Sequence, residues 1–166
     1  MNTEGEKIQW HPAFDAALQI ELGEEAKYLT FEPEHLLSKK PMQIDVLVKN
    51  EKKVKIRKNI GRIFRQHNII EYKSPEDHLN IDDFYKVYGY TCIYKTEVEK
   101  VNQIPAEELT ITFVCYHYPW QMLRNLQNER NMNVKNIENG IYYLYGDGIP
   151  IQLIIVPELS IENNYW

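Results

Sequence analysis

Phe14, Leu18 and Leu22 recur at four-residue steps behind Pro12, which is suited to a helix start, and predict a helix over about residues 12–25. At about 100° per residue, Glu21 falls between Ala17 and Leu18 and almost over Phe14, so a carboxylate sits in an apolar stripe. Lys27 to Phe31 reads as a weak strand, and Pro33 and Pro41 bracket a loop containing His35. Met42 to Val48 is rich in β-branched residues, with Ile44, Val46 and Val48 on one face and Gln43, Asp45 and Leu47 on the other. Asn68 to Lys73 is a second strand, ended by Ser74-Pro75. Ile70 and Tyr72 share one face; Glu71 and Lys73 share the other. Asn80, with Asp83 three residues on, predicts a capped helix from Ile81 to about Lys95 with a stripe of Phe84, Tyr88 and Cys92. Leu109 to Tyr116 is the most apolar segment and belongs at the centre of a sheet. Pro119 opens a short helix bearing Trp120, Leu123 and Leu126. Gly140 to Tyr145 and Ile149 to Val156 form a hairpin around Gly146-Asp147-Gly148. This order predicts a mixed α/β fold whose sheet holds both parallel and antiparallel pairs.

Composition narrows the class. The 166 residues suit one domain, and 43% apolar side chains with 12% aromatics exclude global disorder. Two cysteines, Cys92 and Cys115, exclude a disulfide scaffold and a four-cysteine zinc site. No apolar run reaches the roughly 18 residues of a membrane span. Met1 to Trp10 lacks the basic-then-apolar pattern of a secretory signal, so a reducing, cytoplasmic setting is expected, with no membrane partner.

The net charge of -5 conceals a local excess of the opposite sign. Lys49, Lys52, Lys53, Lys55, Arg57, Lys58, Arg62 and Arg65 stand in one stretch with a single acid, Glu51. Such a run on an acidic protein is either a phosphate-binding footprint or a solvated loop. His67 follows it and is also placed to touch a phosphate.

Asp45 interrupts a strand that otherwise reads as buried, and Glu71 and Lys73 do the same in the next. Burying these groups unpaired is costly. They therefore form an ion pair of Lys73 with Glu71 or Asp45, lie at a wet sheet edge, or make a functional site. Two acids on adjacent strands offer the hard oxygen ligands that suit Mg²⁺ or Mn²⁺. A lysine two residues from one of them shares its strand face and can hold an attacking water or a developing phosphorane charge.

The segment Ile44-Asp45 with Ile70-Glu71-Tyr72-Lys73 resembles the D…(D/E)-x-K signature of the PD-(D/E)XK nuclease superfamily. Ile44 stands where the motif's proline would be, and the 26-residue step from Asp45 to Glu71 is filled by the basic stretch. The runs Ile60 to Pro75 and Ile81 to Val87 are similar to bacterial proteins grouped with the recombination-promoting nuclease and putative transposase branch. The resemblance covers about residues 10–116, leaving about 117–166 as a C-terminal extension of a single domain. It implies a restriction-endonuclease-like α-β-β-β-α-β core followed by a C-terminal β-hairpin. It also implies Mg²⁺-dependent cleavage of DNA, with Mn²⁺ as a substitute. Asp45, Glu71 and the Tyr72 carbonyl would be the metal ligands, Lys73 would orient the water, and Glu21 would be an accessory acid. Lys52, Lys53, Lys55, Arg57, Lys58, Arg62, Arg65 and His67 would then contact the nucleic-acid backbone beside the metal site, since their stretch joins the two ligand-bearing strands and is expected to begin and end near the acids, and a homodimer is left open. The rival readings are a silent domain of the same fold that binds nucleic acid or protein, and an interaction protein whose carboxylates form a structural ion-pair cluster.

Overall fold

The computed structural model describes residues 10–31 and 42–164, with the side chains of residues 10, 11, 14, 18, 21 and 22 outside that description. The chain divides into two compact units, Met1–Pro41 and Met42–Trp166. In the first, α1 (Trp10–Leu22) runs into a 3-10 helix, Gly23–Tyr28. Gly23 at φ +59° stops α1, because left-handed backbone cannot continue a right-handed helix. Lys27 and Tyr28 belong to the 3-10 turns and residues 29–31 are irregular, so the strand expected at Lys27 to Phe31 is not formed. The loop with His35 lies outside the described residues.

The second unit is a six-stranded open sheet with two α-helices. In chain order it holds β1 (Val46–Lys49), β2 (His67–Tyr72), α2 (Ile81–Thr96) and β3 (Leu109–Cys115). Then follow α3 (Trp120–Arg130), β4 (Asn133–Glu138), β5 (Ile141–Tyr145) and β6 (Ile151–Ile155). The strands lie in the order β1-β2-β3-β6-β5-β4. The β2–β3 and β3–β6 pairs are parallel and the other three antiparallel, so the expected mixed α/β fold is present. Two strands, not three, precede α2 among the described residues. Residues 117–166 are more than an extension: they supply β4, β5 and β6, and β6 lies directly beside β3.

Parity assigns each strand residue to a layer. Ile69, Leu109, Ile111, Phe113, Ile151 and Leu153 face the helices, where they meet Phe84 and Val87 of α2 and Met122 and Leu126 of α3. The helical stripe therefore differs from the one expected: Phe84, Val87 and Thr91 are buried, and Cys92 is exposed. On the other face Val114, Ile141, Ile154 and Leu159 form a smaller cluster with Ile60 and Ile70. With both faces covered, every residue of β3 is buried. Thr110 is accommodated there by donating to Asn68 Oδ1 at 2.6 Å, and Thr112 by accepting from Gln152.

The 17-residue connection from β1 to β2 is fastened by polar side chains of its own and of the strands. Asn68 is buried and makes four hydrogen bonds: its oxygen accepts from Arg65 N and Thr110 Oγ1, and its amide donates to the carbonyls of Val48 and Arg65. Asn59 bonds Glu138 and Asn164, Gln152 donates to the Ile60 carbonyl, and Lys58 donates to the Asn163 carbonyl. The connection thus packs on the face away from α2.

Candidate functional site

β1 and β2 pair with Val46 opposite Ile70 and Leu47 opposite Ile69. One further step of that register sets Asp45 opposite Glu71. Opposite residues of an antiparallel pair project to the same face, and the two carboxyls are close enough to share a hydrogen bond. Asp45 Oδ2 also accepts from the Tyr72 backbone N–H at 3.0 Å, which fixes the carboxylate against the end of β2. Ile44 departs from the expected parity. It packs with Leu47 on the α2 side, because the chain bends at Asp45 and is not yet extended before it.

Glu71 is half-buried. Burial pushes its carboxyl up to about 7, and the neighbouring Asp45 charge and hydrogen bond add to this; Lys73 pulls the other way. Lys73 extends β2, its backbone N–H donating to the Val114 carbonyl at 2.8 Å. Its ammonium lies 3.0 Å from Asp83 Oδ1. Burial opposes the charged amine, but the Asp83 hydrogen bond and charge, with Glu71 behind them, hold Lys73 above the usual lysine value.

Asp83 is the member of the cluster that sequence reasoning assigned only to helix capping. The capping box is present: Asp83 N–H donates to Asn80 Oδ1 at 2.9 Å, and Asp83 Oδ2 accepts from Asn80 N–H at 3.0 Å. Its second oxygen is the one that meets Lys73. The signal available in the sequence was an acid at the third helical position, ten residues after a lysine on a buried strand face.

The side chain of Glu21 lies outside the described residues. Asp15, on the same helix, accepts from Gln19 Nε2 at 3.1 Å.

The basic stretch lies differently from expectation. It leaves β1 at Lys49 and joins β2 at His67, the strand ends remote from Asp45 and Glu71. At roughly 3.3 Å per residue, β1 separates the start of the stretch from Asp45 by about 13 Å. The segment thus does not begin and end beside the acids. Lys52, Lys53, Lys55 and Arg57 are exposed. Arg62 pairs with Glu138 at 3.0 Å, and Arg65 donates to the Glu107 carbonyl at 2.7 Å. His67 Nδ1 lies 2.7 Å from Tyr94 OH, and its ring is 3.7 Å from Glu108. Burial lowers its basicity, with Lys49 adding to the effect and Glu108 opposing it. Arg62, Arg65 and His67 therefore tie the fold together.

Among the described residues, no group of three or more His, Cys, Asp and Glu side chains is gathered as a metal cage. No helix among them is long and apolar enough to cross a membrane. An apolar groove of about 560 Å³, with Val46, Ile70, Tyr72 and Val114 in its wall, lies on the sheet face opposite the carboxylates. His78 and His117 stack at 4.3 Å, and His117 Nε2 donates to the Pro75 carbonyl, which ties the segment after β2 to the one after β3. The chain matches no protein-family model, no curated protein and no solved structure.

Proposed function

We propose that the chain is a metal-dependent DNA endonuclease of the PD-(D/E)XK type, acting in the cytoplasm on phosphodiester bonds. The observation that carries the reading is the meeting of Asp45 and Glu71 across β1 and β2, with Lys73 on the same face. Glu71, its carboxyl pushed up to about 7 by burial and by the neighbouring Asp45, has an unmet demand for positive charge. A hard divalent cation answers that demand better than a proton.

The residues fit Mg²⁺ or Mn²⁺, which keep several waters and need only one or two protein carboxylates. Asp45 and Glu71 would hold the ion. The Tyr72 carbonyl supports this set. In extended backbone a residue's N–H and C=O point to the same edge, and the Tyr72 N–H points at Asp45. When bound, the ion polarises a phosphodiester and lowers the pKa of a water. Lys73 would orient an attacking water and offset charge on the phosphate oxygens. Lys52, Lys53, Lys55 and Arg57 remain candidate backbone contacts, reaching DNA about four base pairs from the cut. Lys58, Arg62, Arg65 and His67 serve the fold first. The departure from the restriction-endonuclease-like core is a first strand that does not occur among the described residues; the antiparallel pair followed by a helix and a parallel strand agrees with that core.

A specific observation also favours a catalytically silent domain of this fold: Lys73 is already paired with Asp83, as a purely structural charge cluster requires. Incubation with supercoiled, linear and single-stranded DNA in Mg²⁺ or Mn²⁺ separates the readings. Cleavage that a chelator stops and Lys73→Ala abolishes supports the nuclease. Absence of cleavage on every substrate leaves the silent domain.

A further inference from the structure

Lys73 has two places to put its charge. Glu71 lies two residues back on the same strand face, and Asp83 lies at the first turn of α2. A lysine that turned to Glu71 would neutralise one of the two carboxylates a divalent cation needs. The ammonium lies instead 3.0 Å from Asp83 Oδ1.

Asp83 is built to hold that position. Its Oδ2 accepts from Asn80 N–H and its own N–H donates to Asn80 Oδ1, so its side chain has little freedom. It is 9% exposed. Its helix is anchored by Phe84 and Val87, both buried against the sheet. The helix N-terminus favours its negative charge. On the other side, the Lys73 backbone is fixed by the Val114 carbonyl, and Ser74 Oγ donates to Asp77 Oδ2 in the turn that follows. The acids that act on Lys73 are thus Asp83, Glu71 and Asp77, while Asp45 acts on Glu71.

We propose that Asp83 is a positioning residue: it holds the Lys73 ammonium off the Asp45–Glu71 pair and leaves both carboxylates open to a divalent cation. This rests on the metal-site reading above. The capping role and the Lys73 role use different oxygens of one carboxylate, so they are separable by substitution. Asp83→Asn keeps a side-chain oxygen for the Asn80 N–H but removes the charge that retains the ammonium. Lys73 then turns to Glu71 and competes with the cation.

The test is Mn²⁺ affinity by calorimetry, without DNA, on the wild type, Asp83→Asn, Lys73→Ala, the double variant and Asn80→Ala. Asp83→Asn weakens Mn²⁺ binding about tenfold, about 1.4 kcal/mol. In the Lys73→Ala background the same substitution changes affinity by less than about twofold, because the competing ammonium is gone. Asp83→Glu keeps most of the wild-type affinity. Asn80→Ala lowers Tm by a few degrees through the lost cap and leaves Mn²⁺ affinity unchanged. An equal loss from Asp83→Asn in both backgrounds means that the carboxylate acts through its charge alone, and overturns the proposal. So does an Asp83→Asn variant that behaves like Asn80→Ala. If Asp83→Asn fails to fold, Asp83→Glu carries the test, and a loss of about tenfold there overturns the proposal. Mn²⁺ binding without DNA cleavage by the wild type defeats the nuclease reading and leaves this inference standing. A wild type that binds no Mn²⁺ defeats both.

Discussion

Asp45 and Glu71, 26 residues apart in the chain, stand opposite each other at the end of the β1–β2 pair with their carboxyls in hydrogen-bond contact. The long connection between them does not disturb this, because Asn68 and the Asn59–Asn164 pair fasten it to the far face of the sheet. Antiparallel register alone then brings the acids together.

The proton held at Glu71 makes stability depend on pH. Its folded value of about 7 lies above the ordinary carboxylate value of 4.5. Between these the folded state holds a proton that the unfolded state has lost, so stability falls as pH rises through that window. Solvent screening of this half-buried carboxyl reduces the effect to about 1 kcal/mol. Glu71→Gln, measured by thermal unfolding in chelator, should gain on the wild type from about pH 5 to about pH 8 and then level off. Parallel curves would mean that Glu71 is ionised throughout.

The same proton competes with a metal ion. With Glu71 near 7, Mn²⁺ affinity should rise about tenfold between about pH 6 and about pH 8 and flatten above. Calorimetry in buffers of differing ionisation enthalpy should show a proton released on binding near the lower end of that range. Glu71→Gln should bind more weakly and lose the pH dependence.

The basic connection divides into an exposed half and a half tied into the fold. Replacing Lys52, Lys53, Lys55 and Arg57 by alanine should leave Tm unchanged. It should flatten the plot of log affinity for duplex DNA against log salt by about 0.9 for each phosphate that is no longer neutralised. Arg62→Ala breaks the partly exposed Glu138 pair, costs up to about 1 kcal/mol and changes that slope less. Equal slopes for the wild type and the fourfold variant would remove the stretch from DNA binding.

Asn68→Ala tests how the connection is fastened. It strips partners from the Val48 and Arg65 carbonyls, the Arg65 N–H and the Thr110 hydroxyl. The cost should be about 2–4 kcal/mol in denaturant unfolding. A cost below about 1 kcal/mol would show that water replaces these bonds freely.

Strand parity made the site readable: Glu71 and Lys73 share a face because side chains alternate, and Asn80 with Asp83 announced α2. β3 was recognisable by its apolar run. β4 was missed because Asn133–Glu138 is exposed at the sheet edge and carries little apolar pattern; the readable sign was Asn139-Gly140, the hairpin turn to β5 with Gly140 at φ +78°. Lys27 to Phe31 failed as a strand because Gly23 set up 3-10 turns instead. The basic stretch lies away from the acids, despite its adjacency in the chain, because a connection between antiparallel strands leaves from the end remote from the preceding residues. Asp83's second role was invisible because it depends on how α2 packs over β2.

Whether Asp45, Glu71 and Lys73 cleave DNA with a divalent cation is decided by single-turnover cleavage of end-labelled DNA in Mn²⁺ at saturating protein, with binding in Ca²⁺ measured on the same preparations. Lys73→Ala should slow cleavage about 100-fold or more while binding stays within about twofold. Equal cleavage by wild type and Lys73→Ala, or no cleavage by the wild type of either double- or single-stranded DNA, would refute the nuclease assignment.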